Sequence, residues 1–235
     1  METANRKRYF FLIFCKKYCG LFSFSVFSVP SHRVEKQYFI MKIALFASGE
    51  GTNAENIIRY FSQSCEVVIP LVVINRKEAG ARRRAESLGV TVEYIPKREW
   101  EDEGRVLSLL RSYGIEAIVL SGFLLHVPDY LLRAYPERIV NIHPALLPKH
   151  GGKGMYGMHV HEAVVADGDT ESGITIHLVD DEYDHGRTLF QAKCSVLPGD
   201  TPEDVAAKVH KLEYEYFPKV IGEWVHEMSR TNPER

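Results

Sequence analysis

From Met41 onward, short apolar runs alternate with segments in which apolar residues repeat at helical spacing. The predicted strands of the first half are Lys42–Ala47, Glu66–Ile74, Thr91–Ile95, Glu116–Leu120 and Arg138–Ile142. The helices predicted after the first four of them are Thr52–Phe61, Ala79–Leu88, Glu99–Tyr113 and Val127–Ala134. Serial strand–helix units predict an α/β fold with a mostly parallel central sheet, helices on both faces and right-handed connections.

The second half has a different pattern. Two further predicted strands, Ser172–Val179 and Thr188–Val196, flank an acidic loop. Helices are predicted over Gly157–Ala166 and, with amphipathic spacing, over Thr201–Met228. The sequence Thr-Pro-Glu-Asp at 201–204 suits a helix N-terminus. Because no repeat or linker interrupts the sequence, we expect a single domain over residues 41–235.

Composition narrows the class of protein. The 235 residues are 45% hydrophobic and 26% charged, which is typical of a globular domain with a sizeable core. The net charge of −2 predicts no general attraction to nucleic acid. Four scattered cysteines predict neither a disulfide framework nor a structural zinc site. We therefore expect a cytoplasmic protein.

The first forty residues differ from the rest, with seven basic and two acidic side chains. Lys16 and Lys17 divide their apolar part, so that no run reaches the ~18 residues of a membrane helix. We expect residues 1–40 to be an extension that is either disordered or an artefact of start-site choice, with Met41 as the true start. A targeting segment stays open, because a basic start before an apolar stretch resembles a signal peptide.

A glycine-containing turn, Ser48-Gly49-Glu50-Gly51-Thr52-Asn53-Ala54, joins the first predicted strand to the first helix. Backbone N–H groups and the helix dipole make such a turn a phosphate site. The spacing also fits a loose dinucleotide fingerprint. The acidic residue expected about 20 positions later is missing, and Arg76 stands near that point. An NADP-dependent reductase therefore stays open.

The run Asn141-Ile142-His143-Pro144 ends the fifth predicted strand. Residues two apart in a strand point the same way, so Asn141 and His143 can converge on one atom. An amide N–H suits an oxyanion, and an imidazole moves a proton near neutral pH. This pair predicts acyl-group transfer.

An acidic loop, Asp180–Asp184, follows the sixth predicted strand. One carboxylate beside His143 would fix its tautomer and raise its basicity, and the spacing does not say which. His177 projects from the preceding strand with Thr175 and Val179 and is a candidate to line the site.

A glycine-rich segment covers residues 149–157. It lacks the spacing of a Walker loop, and a lid over an anionic substrate is an interpretation that fits it. His159 and His161 follow on a predicted helix, where they point apart, so we expect no metal site.

Taken together, these motifs resemble the phosphoribosylglycinamide formyltransferases, which are folate-dependent enzymes of purine synthesis. The resemblance covers about Lys42 to Val225. It rests on the turn at 48–53, Asn-Ile-His-Pro-x-Leu-Leu-Pro at 141–148, Gly-x-Thr-Ile-His at 173–177, Asp184-x-Gly186 and Gln191-Ala192. It implies the Rossmann-like formyltransferase fold, with 10-formyltetrahydrofolate as co-substrate and no metal.

The resemblance also implies a role for each matching residue. Asn141 and His143 would stabilise the oxyanion formed when the glycinamide amine attacks the formyl carbon, and Asp184 would orient His143 and move the proton. The implied phosphoribosyl-binding residues are Gly51, Thr52, Asn53 and Glu213. The implied folate-binding residues are Arg98, Leu124, Leu125, His126, Val127 and Asn141.

Two departures and several alternatives remain at this point. Some members of the family carry arginine where Leu125 stands, and the loop 151–157 is longer than in compact bacterial members. A methionyl-tRNA formyltransferase would need a further C-terminal domain. A formyltetrahydrofolate hydrolase or a non-catalytic nucleotide-binding module is a competing hypothesis. We expect small-molecule substrates, no nucleic-acid or membrane partner, and a monomer or homodimer.

Overall fold

The computed structural model describes residues 40–231, so the predictions for residues 1–39 lie outside the described residues. Within 40–231, seven strands form one sheet: β1 (Met41–Ala47), β2 (Val67–Ile74), β3 (Thr91–Tyr94), β4 (Ala117–Leu120), β5 (Ile139–His143), β6 (Glu171–Leu178) and β7 (Thr188–Ser195). The α-helices are α1 (Thr52–Phe61), α2 (Gly80–Ser87), α3 (Glu103–Ser112), α4 (Asp129–Ala134), α5 (Met158–Ala166) and α6 (Pro202–Thr231). Among these described helices none is long and apolar enough to cross a membrane.

The sheet order is β3-β2-β1-β4-β5-β6-β7. Strands β1 to β5 pair in parallel, whereas the β5–β6 and β6–β7 pairs are antiparallel. The prediction of a mostly parallel α/β sheet is therefore confirmed. From β1 the chain adds β2 and β3 on one side of the sheet and then returns to add β4 and β5 on the other side. At such a topological switch point, the loops that follow the two adjacent strands run in opposite directions and leave a crevice between them.

Helices cover both faces of the sheet, as predicted. Alternate residues of β1 belong to different cores, because successive side chains of a strand point to opposite faces. Leu45 packs in a core that includes residues of α1 and α6, among them Phe217. Phe46 packs in a second core that includes residues of α3 and α4, among them Leu110. Both faces of β1 are buried, as expected for a central parallel strand.

Helix starts differ most from the predictions. The helix predicted from Glu99 begins instead at Glu103, because the Asp102 carboxylate accepts a hydrogen bond from the Arg105 N–H at 3.0 Å and caps it. Residues Lys97–Glu99 form a short 3-10 turn before it. The helix predicted from Val127 begins at Asp129, with Pro128 as its N-cap residue.

Candidate active site

A cleft of about 700 Å³ opens at the carboxyl ends of the parallel strands. It is lined by the turn after β1, the segment after β4, the end of β5, the glycine-rich loop, the loop after β6 and one side of α6. In an open α/β sheet this edge is where ligands bind. Most of the residues singled out in the sequence lie in this one cleft.

The antiparallel β5–β6 pairing gathers the polar side chains at the end of β5. Its register places Asn141 opposite His177. The Asn141 amide nitrogen lies 3.2 Å from His177 Nε2, and His143 Nδ1 lies 3.4 Å from Asp184 Oδ2. His177 Nε2 also lies 3.7 Å from Asp184 Oδ1. Four side chains, which we call the catalytic cluster (Asn141, His143, His177 and Asp184), thus contact one another.

Asp184 is the acid of the 180–184 run that contacts His143. It adopts a left-handed backbone conformation, with φ of 55°. Its Oδ2 accepts a hydrogen bond from the Gly152 N–H at 3.0 Å. Burial raises the pKa of Asp184, but His177, His143 and the Gly152 N–H together lower it by more. The carboxyl pKa lies below its usual value, and the group is ionised at neutral pH.

His143 is buried, with 4% of its side chain exposed. Its Nε2–H donates to the backbone carbonyl of His150 at 2.7 Å, which directs Nδ1 towards Asp184. Burial lowers the pKa of His143 below its usual value, although Asp184 and the His150 carbonyl act in the opposite direction. The neutral ring therefore presents Nδ1 as a proton acceptor beside a carboxylate.

His177 connects the cluster to its strand. Its Nδ1–H donates to the carbonyl of Leu178 at 2.8 Å. When the ring is neutral, Nε2 therefore accepts a hydrogen bond from one N–H of the Asn141 amide. The second N–H of that amide is not used in this hydrogen bond. The imidazole of His177 thus fixes which end of the Asn141 amide is a donor.

The turn after β1 is fixed by close packing. Gly51 has φ of 74°, and a Cβ at this position would lie 2.4 Å from Ala81 Cα. The next residue, Thr52, starts α1, so the unpaired N–H groups of its first turn lie at the cleft. The Ser48 hydroxyl accepts from the Leu124 N–H at 2.9 Å and joins this turn to the segment after β4.

Glu213 of α6 closes this end of the cleft. Its side chain is 8% exposed, and its Oε2 accepts hydrogen bonds from Asn53 Nδ2 at 3.1 Å and from His210 Nδ1 at 2.6 Å. The hydrogen bond to Glu213 raises the pKa of His210. Sequence analysis missed His210, although its position three residues before Glu213 on one helix was a usable signal.

The segment Leu124, Leu125, His126 and Val127 lines the same cleft. His126 Nε2 lies 3.2 Å from the Asp181 carbonyl, and its ring packs against Tyr183 at 4.7 Å between centroids. Arg98 does not line the cleft. It stands in the Lys97–Glu99 turn, where its side chain is 85% exposed and contacts Glu99 at 3.7 Å.

The two histidines of α5 point apart, as predicted. His161 is buried and lines the cleft, whereas His159 is exposed and packs near Tyr156. Within residues 40–231 no group of three or more His, Cys, Asp or Glu side chains is placed to hold a metal ion.

The fold and the site define an α/β protein that places His and Asp side chains in a cleft beside the N-terminus of α1. The chain belongs to the formyl transferase family, whose sequence pattern it matches over residues 41–221. The resemblance inferred from the motifs is thereby confirmed at the level of the family.

Individual relatives carry a more specific name. The chain is 41% identical over 187 residues to the chloroplastic phosphoribosylglycinamide formyltransferase of Arabidopsis thaliana, which covers 77% of this chain and 64% of that protein. It is 32% identical over 185 residues to the phosphoribosylglycinamide formyltransferase of Bacillus subtilis, covering 77% of this chain and 92% of that one. The chain spans only 64% and 63% of two plant relatives.

Solved structures with the same architecture come from bacteria. The glycinamide ribonucleotide transformylase 1 of Symbiobacterium toebii superimposes with a TM-score of 0.76 at 26% identity, over 85% of this chain and 94% of that one. The phosphoribosylglycinamide formyltransferase of Streptococcus pneumoniae gives 0.70 at 33% identity, over 78% and 98%.

The geometry of the turn after β1 makes a prediction about Gly51. The Gly51→Ala variant should lower the free energy of unfolding by about 1–3 kcal/mol, because its Cβ would strain the backbone and meet Ala81. Gly49→Ala is the matched control, since a Cβ at Gly49 meets nothing within 4 Å. Urea unfolding followed by circular dichroism measures both, and equal effects would contradict this account of the turn.

Proposed function

We propose that the protein transfers the formyl group of 10-formyltetrahydrofolate to the amine of 5′-phosphoribosylglycinamide. The products would be formylglycinamide ribonucleotide and tetrahydrofolate, in purine biosynthesis. The observation that carries this proposal is that the turn at the N-terminus of α1, the segment after β4 and the catalytic cluster line one cleft. The names of the Arabidopsis and Bacillus relatives support the same substrates.

The phosphoribosyl group would bind at the N-terminus of α1. Backbone N–H groups at Gly51, Thr52 and Asn53 suit a phosphate dianion, and the helix dipole adds to this attraction. Glu213 is held at the same end of the cleft by Asn53 and His210. Its carboxylate suits an amine or a ribose hydroxyl.

The folate ring would bind against residues 124–127 and Asn141. Leu124, Leu125 and Val127 offer an apolar wall, and backbone polar groups of the segment supply the few directed hydrogen bonds that a flat heterocycle needs. Leu125 contributes no charge to the folate. A contact from Arg98 would have to reach a part of the folate outside the cleft.

The catalytic cluster supports the following chemistry. The amine nitrogen forms a bond to the formyl carbon, and the second N–H of Asn141 donates to the oxygen that becomes negative. Nδ1 of His143 takes up the proton released by the amine, directly or through water, and ionised Asp184 stabilises the resulting imidazolium. The negative oxygen then re-forms the carbonyl as the bond from carbon to the folate nitrogen breaks. The folate nitrogen takes the proton held by His143, directly or through water, which returns the ring to its neutral form.

The competing hypotheses account for fewer of these residues. A reductase or a nucleotide-binding module would use the turn at 48–54 but would have no need for Asn141, His143 and Asp184 in contact. A formyltetrahydrofolate hydrolase would use the same cluster with water as the acceptor. The anion-binding end of the cleft, closed by Glu213, favours the ribonucleotide as acceptor.

We also propose small-molecule substrates only, a monomer or homodimer, and a cytoplasmic location. The free thiols of Cys65 and Cys194 suit a reducing compartment. Two plant relatives are named as chloroplastic, which makes the compartment a point to be measured.

Substitutions in the cluster should slow turnover strongly without unfolding the protein. His143→Ala and Asp184→Asn should each lower kcat for formyl transfer by about 100-fold or more, because a proton acceptor or its counter-charge is lost. Initial rates of folate absorbance change at saturating substrates measure the effect.

Asp181→Asn is the matched control for the acidic loop. Asp181 is exposed and contributes only its backbone carbonyl to a hydrogen bond, with His126. Its variant should keep kcat within about two-fold, as expected for a surface change away from the chemistry. If Asp181→Asn and Asp184→Asn had the same effect, the assignment of Asp184 would be wrong.

The value of kcat should fall as the pH is lowered, with a midpoint below the usual pKa of histidine. His143 must be neutral to accept a proton, and burial, outweighing Asp184 and the His150 carbonyl, lowers its pKa. The acid limb of kcat therefore lies below the ordinary imidazole value of about 6.5. A pH profile of kcat measures this limb, and a midpoint above pH 7 would contradict the assignment of His143 as the acceptor.

The native N-terminus should lie at Met41. Mass spectrometry of N-terminal peptides from the native protein measures it, with the full-length recombinant chain as the reference. A native peptide from within residues 1–40 would overturn this proposal and favour a targeting segment or a disordered arm.

A further inference from the structure

A second polar group lies outside the catalytic cleft, beside a separate cavity of about 280 Å³. The His150 ring is 6% exposed, and its Nε2 lies 2.7 Å from Asp169 Oδ2. The Lys149 ammonium binds the other carboxylate oxygen, Oδ1. Hydrogen bonds to Lys149 and His150 lower the pKa of Asp169, so its carboxylate is ionised. We call these three residues the Asp169 clamp.

The clamp holds an unusual backbone conformation. His150 has φ of 56°, a left-handed conformation that non-glycine residues rarely adopt. A side chain anchored on a carboxylate compensates for such strain, because the surrounding contacts determine the backbone. The consequence is that the His150 carbonyl reaches His143 and accepts from its Nε2–H at 2.7 Å.

This carbonyl selects the tautomer of His143. The His150 carbonyl and the ionised Asp184 carboxylate both only accept hydrogen bonds, and the neutral ring has one N–H to give. Nε2 lies 2.7 Å from the carbonyl, which is hydrogen-bond distance, whereas Nδ1 lies 3.4 Å from the carboxylate, so the proton resides on Nε2. The lone pair then lies on Nδ1, facing Asp184. Without the carbonyl, the carboxylate of Asp184 would attract the ring proton to Nδ1, and the cluster would lose its proton acceptor.

We infer that Asp169 is a positioning residue for formyl transfer: by anchoring the His150 side chain, it places the carbonyl that keeps the His143 proton on Nε2. This inference rests on the proposed function for its catalytic consequence. The structural part, which is the tautomer of His143, is independent of any activity.

The test is nitrogen NMR of full-length protein labelled with ¹⁵N-histidine, with the His143 signals identified by their loss in His143→Gln. The wild-type spectrum should show a protonated Nε2 and a bare Nδ1. In Asp169→Ala the two tautomers should mix. The same variant should lower kcat by about 10- to 100-fold, as small displacements of a reacting group do, while KM stays within about two-fold.

Asp167→Ala is the matched control. Asp167 is a neighbouring acid that lies 4.0 Å from the Lys149 ammonium and is 56% exposed. It should leave both the tautomer and kcat unchanged. If Asp169→Ala does not fold, Asp169→Asn is the second variant, because it keeps the size and an acceptor oxygen but not the charge. It should show a smaller mixing of the His143 tautomers and a smaller decrease in kcat.

An unchanged His143 tautomer in the folded Asp169 variant would overturn the inference, even if kcat fell. A changed tautomer with unchanged kcat would overturn it as well. Absence of formyl transfer in the wild-type protein would instead refute the proposed function, and the tautomer comparison would still decide the structural part.

Discussion

The site depends on the contacts of one ionised carboxylate, that of Asp184, with the groups around it. It accepts a hydrogen bond from the Gly152 N–H of the glycine-rich loop, and the rings of His143 on β5 and His177 on β6 lie 3.4 and 3.7 Å from its oxygens. A partly buried carboxylate is stable as an anion only when such partners replace water. The same charge opposes the effect of burial on His143, whose pKa still lies below its usual value. The proposed acid–base function and the local fold therefore depend on the same charge.

The sheet topology supplies these partners. The antiparallel pairing of β6 with β5 places His177 opposite Asn141. The reversal of strand order between β1 and β4 opens the cleft, and the Ser48 hydroxyl joins the two segments that flank it. The turn after β1 and the apolar segment after β4 are thus held by the same part of the sheet.

The fold class could be predicted because buried parallel strands and amphipathic helices leave strong periodic patterns in the sequence. The Asn141–His143 pair could be predicted because a strand has a period of two. The choice of Asp184 among its acidic neighbours could not be predicted from spacing, since it depends on a left-handed loop conformation and on a backbone N–H of another loop. The contact of the His150 carbonyl with His143 could not be predicted either, because every residue has a backbone carbonyl and the sequence does not mark which one is used. Arg98 matched a family position, yet the Lys97–Glu99 turn leaves its side chain outside the cleft.

The central claim is that the cleft joins a formyl donor to a ribonucleotide acceptor. Its most direct test is the rate of folate absorbance change with purified protein and 10-formyltetrahydrofolate, measured with and without glycinamide ribonucleotide. The account predicts turnover only when both substrates are present, with one formyl group appearing on the ribonucleotide for each tetrahydrofolate released. Equal turnover without the ribonucleotide would contradict it and identify a hydrolase.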